Sequence, residues 1–85
     1  METKNDNLRD ACDQAAVTLK KLNKPEYEDI VSRLIYCVGS YDYDKNPSGL
    51  REYGHKALVL LNQVKEKNSK NVPKTLIKKL EESLA

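Results

Sequence analysis

The chain contains three prolines, Pro25, Pro47 and Pro73, and each stands at the head of a segment whose apolar residues recur at helical spacing. Proline is tolerated in the first turn of an α-helix, where its missing N–H would be unpaired anyway, and it breaks a helix interior. The three therefore divide the sequence into four segments that cannot run on into one another. Counted at about 100° per residue, Leu8, Cys12, Ala15, Leu19 and Leu22 share one face of residues 4–23. Tyr27, Ile30, Val31, Leu34, Val38 and Tyr41 do the same over 25–41, and Leu50, Gly54, Ala57, Leu61 and Val64 over 47–67. Val72, Leu76, Ile77, Leu80 and Leu84 line a short last segment, 73–84. None of these stripes alternates with the period of two that a half-buried strand requires. The spacing predicts an all-α fold, a small antiparallel bundle of four helices forming one domain over residues 1–85. A stack of helical hairpins is the other arrangement such a pattern can support.

Local signals agree with these limits. Thr3 with Asp6 resembles a capping box with Asp in place of Glu, Glu26, Glu28 and Asp29 place negative charge at the favoured end of the second helix, and Asn46 precedes Pro47 as a cap. Asn23 and the run Asn68-Ser69-Lys70-Asn71 read as stops between helices. Glycine inside a helix costs about 1 kcal/mol relative to alanine, so Gly54 on an apolar face implies close approach by a neighbour, which we expect to be a tyrosine. Val17, Tyr36 and Val59 each lie about 180° from the apolar stripe of their own helix. They would mark a seam for self-association if their helices are neighbours.

Composition limits the function classes. Eighty-five residues make a domain near the lower size limit for a core without disulfides or metals. The net charge of +2 conceals an asymmetry: residues 1–55 carry eight Lys/Arg against ten Asp/Glu, whereas residues 56–85 carry seven Lys against three Glu. A nucleic-acid binder usually has more arginine and a higher isoelectric point than 8.5, and no arginine follows Arg51. Nucleic acid is therefore not the expected partner, and Lys65, Lys67, Lys70, Lys74, Lys78 and Lys79 read as a solvated face. No apolar run reaches the roughly 18–20 residues of a membrane helix, and the polar opening residues do not make a signal peptide, so the chain reads as cytoplasmic. Cys12 and Cys37 have no CxxC spacing and read as small buried residues.

Four of the five tyrosines, all three glycines and the single histidine fall between Tyr36 and His55. At the centre, Tyr41-Asp42-Tyr43-Asp44-Lys45-Asn46-Pro47-Ser48-Gly49 reads as a polar, aromatic connection, and connections carry function more often than packed elements. Tyrosine offers a large apolar body with a polar tip, which suits a contact surface. The expected site is thus a partner-binding face made by Tyr36, Tyr41, Asp42, Tyr43, Asp44 and His55. A small-molecule or metal-ion site on residues 41–49 is the alternative, because Asp42, Asp44 and Asn46 occupy the first three ligand positions of a calcium loop. The later positions depart from that pattern: the sixth holds Pro47 where glycine is needed and the twelfth holds Tyr53 where glutamate is needed. There is no glycine-rich phosphate loop, nucleophile motif, HExxH or metal-binding cysteine set, so neither catalysis nor a cofactor is expected. The expected function is a non-enzymatic protein-interaction module, binding a protein partner or itself.

Two resemblances accompany this reading. Val38-Gly39-Ser40-Tyr41 followed by Leu50-Arg51-Glu52-Tyr53-Gly54-His55-Lys56-Ala57-Leu58 resembles one tetratricopeptide helical pair over roughly 30 residues, which implies peptide binding. Gly54 stands where that family prefers a bulky aromatic. In length, helix order, the mid-chain Pro47 and the basic pattern around Lys78-Lys79-Leu80, the chain is also similar to bacteriocin immunity proteins, small antiparallel bundles with a protective role. His55 on a helix face is similar in placement to the histidine of phosphotransfer domains, but no glycine follows it at helical spacing.

Overall fold

The computed structural model describes residues 4–22, 24–67 and 72–84, and its described residues form four α-helices. These are α1 (Lys4–Leu22), α2 (Pro25–Asp44), α3 (Ser48–Lys67) and α4 (Lys74–Leu84). Thr3, Asn23 and the Asn68–Asn71 turn, which carried cap and stop signals, lie outside the described residues.

Tertiary contacts set the packing order. Arg9 near the start of α1 meets Asp42 at the end of α2, and Cys37 and Arg33 of α2 meet Gly49 and Tyr53 at the start of α3. Each successive helix therefore runs back along the one before. Leu8 and Leu84 meet over Gly54, which brings the start of α1, the end of α4 and the first half of α3 to one level. Contacts join α1 to all three other helices and α3 to both α2 and α4, so α1 and α3 form the middle of the bundle and α2 and α4 flank it.

The predicted stripes are the core. Leu8, Cys12, Ala15 and Leu19 of α1, Leu34 of α2, Leu50, Ala57 and Leu61 of α3 and Leu80 of α4 are fully inaccessible and belong to one cluster. Leu22, Ile30 and Leu84 are only partly buried, at its margin. Val17 and Val59 are exposed, as their position opposite the stripes requires.

Two expectations are corrected. The space beside Gly54 is taken by Leu8 and Leu84, each 3.3 Å from where a Cβ would stand, with Cys12 Sγ at 3.5 Å. Aliphatic branches from two helices and a thiol, not a tyrosine, need the missing side chain. The second helix does not stop at Tyr41 but runs to Asp44, and α3 already includes Ser48 and Gly49, so the connection shrinks to Lys45–Pro47. The last turn of α2 is retained because its side chains bind α1: Tyr41 is buried and donates its hydroxyl to Asp6 Oδ1 at 2.8 Å, and Asp42 accepts a forked pair of bonds from Arg9.

The helix ends at Lys45, which adopts the left-handed conformation (φ 60°, ψ 22°) and donates its N–H to the Tyr41 carbonyl at 2.7 Å. This is the αL stop usually given to glycine. Asn46 then opens α3, its Oδ1 accepting from the N–H of Ser48 at 3.1 Å and from Ser48 Oγ at 2.8 Å. The cap followed by Pro47 is the arrangement that the sequence predicted.

Candidate functional site

The six residues expected to form one face are divided among four environments. Tyr41 and Asp42 point to α1. The Tyr41 ring is 4% exposed, lies under the Lys45 ammonium at 5.1 Å and is tied to Asp6. Asp42 pairs with Arg9 through Nε at 3.0 Å and Nη2 at 2.9 Å, while Arg9 Nη1 donates to Asp10 at 3.1 Å. The Arg9 guanidinium holds the Asp42 carboxyl below the usual carboxylate range. Both residues thus serve the α1–α2 joint.

Asp44 belongs to the turn, its Oδ1 accepting the Asn46 N–H at 2.9 Å. With Asp42 paired to Arg9, Asp44 bonded to Asn46 and Asn46 capping α3, the three oxygen donors of the calcium-like spacing face different partners. Among the described residues no group of three or more His, Cys, Asp or Glu side chains converges as a metal site would require.

His55 is exposed on α3. The cleft between α2 and α3 is lined on the α3 side by Gly49, Tyr53 and Lys56, and His55 lies about 100° or more around the helix from that side. It is not grouped with the exposed tyrosines.

Tyr36 and Tyr43 remain, and the structure does bring them together. They are 76% and 92% exposed and stand seven residues apart on α2. That separation is close to two helical turns, so they share one outward face about 10 Å apart along the axis. Gly39 lies between them, with nothing within 4 Å of where its Cβ would be. Ile35, which the apolar stripes left out, is 53% exposed beside Tyr36. The signal that could have found it is that residues 34–41, Leu-Ile-Tyr-Cys-Val-Gly-Ser-Tyr, contain no charge in a chain that is 33% charged. A solvated helix face ordinarily carries charge over two turns. This one exposes isoleucine, tyrosine and glycine instead.

The outward face of α2 is a ridge between two clefts. On the α1 side, Leu19, Tyr27, Val31 and Ile35 line a depression of about 370 Å³ rimmed by Lys20 and Lys24. On the α3 side, Arg33, Tyr36, Cys37, Gly49 and Tyr53 line another of about 410 Å³. Tyr53 is fixed there: its hydroxyl accepts from Arg33 Nη1 at 3.0 Å, and its ring lies 4.8 Å from the Lys56 ammonium. Arg33 also donates to Asp29 at 3.1 Å. The ridge therefore stands on a braced support.

The cysteines belong to the packing beneath this face. Cys12 Sγ lies 3.7 Å from the Leu50 carbonyl, and burial pushes its thiol up to about 12. Burial also raises Cys37, whose sulfur crowds Gly49. Both are free thiols.

No described helix is long and apolar enough to cross a membrane. No protein-family model, curated protein or solved structure matches the chain, so neither the tetratricopeptide nor the immunity-protein resemblance gains a counterpart.

Proposed function

We propose that this chain is a non-enzymatic protein-interaction module whose contact surface is the outward face of α2. The observation that carries the reading is the placing of Tyr36 and Tyr43 on one exposed helix face, alongside the charge-free run 34–41. Such rings present large, stiff contact area at low conformational cost, and aromatic anchors of this kind dominate interface energetics. The flanking clefts supply concave surface for a partner's side chains. Of the six residues first expected, Tyr36 and Tyr43 are the contact pair, Tyr41 and Asp42 fasten the helix that carries them, and Asp44 shapes the following turn.

The test is affinity capture from native lysate with the wild type and the Tyr36→Ala/Tyr43→Ala variant side by side. Both side chains are exposed, so the variant should retain the wild-type circular dichroism spectrum. Partner retained by the wild type and lost by the variant supports the module and its face. Equal retention by both would refute the placement.

A further inference from the structure

The face can accept a second copy of itself. Tyr36 and Tyr43 are equidistant from the Gly39–Ser40 peptide, so two α2 helices laid antiparallel across that point bring Tyr36 of each against Tyr43 of the other. This is the self-complementarity of a twofold interface, in which residue i meets j and j meets i. Gly39, with open space where a Cβ would be, lets the backbones approach at the crossing. Residues 38–41 meet their own copy and residues 34–37, also uncharged, face 42–45 of the other, so no like charges are set against each other at the centre.

Charge at the margin is complementary. Arg33 and Asp44 lie on the same flank of α2, eleven positions apart, which is close to three helical turns. A twofold axis at the Gly39–Ser40 peptide keeps that flank on the same side in both copies. It sets Arg33 of one within about two residues, roughly 3 Å along the axis, of Asp44 of the other. The Arg33 side chain is 53% exposed and within its own copy donates to Asp29 and to the Tyr53 hydroxyl, so Asp44 of the second copy would share an arginine already braced on that flank.

Area sets the strength. A tyrosine contributes about 150–250 Å², so Tyr36 and Tyr43 at 76% and 92% exposure offer about 300 Å² per copy and about 600 Å² per pair. Specific interfaces begin near 1,200 Å². Ile35, 53% exposed, adds to this, and a total below that threshold is the range of weak, reversible association.

We propose that the outward face of α2 binds a second copy of this chain, the two helices crossing antiparallel at Gly39 with Tyr36 of each packed on Tyr43 of the other. The proposal rests on the interaction-module reading and names its partner. Sedimentation velocity from about 1 µM to about 1 mM, the range of affinities expected for an interface of this size, tests it on four proteins: wild type, Tyr36→Lys, Tyr43→Glu and the double variant. The expected result is a concentration-dependent dimer for the wild type, weakened about tenfold or more by each single change. In the double variant the introduced ammonium of one copy faces the introduced carboxylate of the other, so it should dimerise better than either single one. A wild type that stays monomeric throughout overturns the proposal, as does a dimer that the single changes leave intact or a double variant that dimerises no better than the better of the two single ones. If the wild type is monomeric while lysate capture still depends on Tyr36 and Tyr43, the occupant is another protein and the module reading stands. If capture is also independent of them, both fall.

Discussion

Gly49 and Cys37 provide a test in which the sign of the effect changes. A Cβ on Gly49 would stand 2.8 Å from Cys37 Sγ and 3.6 Å from Cys37 Cβ. Gly49 sits in the first turn of α3 with no positive φ among the glycines, so alanine meets no backbone penalty there. Helix propensity alone would favour Gly49→Ala by up to about 1 kcal/mol. Opposing this, a sulfur held below normal contact distance must move. Cys37 is only 7% exposed, and the χ1 ≈ +60° rotamer is closed to a helical residue by the preceding turn. Overpacking of this kind costs about 1–3 kcal/mol, so the clash outweighs propensity and Gly49→Ala should destabilise by about 1 kcal/mol. Replacing Cys37 by alanine removes the sulfur and leaves an ordinary carbon contact at 3.6 Å. In that background Gly49→Ala should become stabilising by about 0.5 kcal/mol, a coupling on the order of 1.5 kcal/mol. Urea denaturation followed at 222 nm on the four members of the cycle measures it. Gly49→Ala that stabilises equally with and without the Cys37 sulfur would refute the reasoning.

Three further expectations follow from the same geometry. The carboxyl of Asp42 is held below its ordinary value by Arg9, so its contribution is present above the unfolded carboxylate value, about 4, and is lost as pH falls through the lower folded value. The stability gap between wild type and Asp42→Asn should therefore be open at pH 7 and close in acid, and denaturation midpoints showing a constant gap would exclude the pairing. Lys45 pays for its left-handed backbone as a non-glycine residue, and because Lys45→Gly and Lys45→Ala both lose the ammonium over Tyr41, comparing them isolates the backbone; glycine should be more stable than alanine by about 1 kcal/mol in thermal or urea melts. At pH 8 both thiols should react slowly with a thiol reagent in the folded protein, Cys37 before the fully buried Cys12, and prompt labelling of Cys12 would contradict its burial.

The four helices were legible because apolar periodicity and proline placement report on the same boundaries, and packing then follows from which stripes must be covered. The end of α2 was not legible. Tyr41-Asp42-Tyr43-Asp44 alternates aromatic and acidic residues, and aspartate is a poor helix former that favours turns. What keeps it helical is tertiary: Tyr41 reaching Asp6 across 35 positions and Asp42 reaching Arg9 across 33. No local pattern contains such pairs. The neighbour of Gly54 was missed for a related reason, since the sequence shows that a side chain is absent but not which of several distant ones fills the space.

Tyr36 was legible by angle alone, whereas Tyr43 had no helical angle while it was read as part of a turn. While Tyr41 to Asp44 counted as a connection, all its side chains were free to converge on one site with His55. Once the helix continues to Asp44, rotation of about 100° per residue separates them. Tyr41 turns inward to α1, Asp42 reaches across the surface to Arg9 of α1, and Tyr43 comes out in line with Tyr36. One helical segment therefore holds two roles that substitution should separate. Loss of Tyr41 or Asp42 should lower stability through the α1–α2 joint, whereas loss of Tyr36 or Tyr43 should leave the fold intact and weaken association. A binding defect at Tyr36 or Tyr43 that tracks unfolding would mean that the ridge belongs to the core, contrary to its exposure.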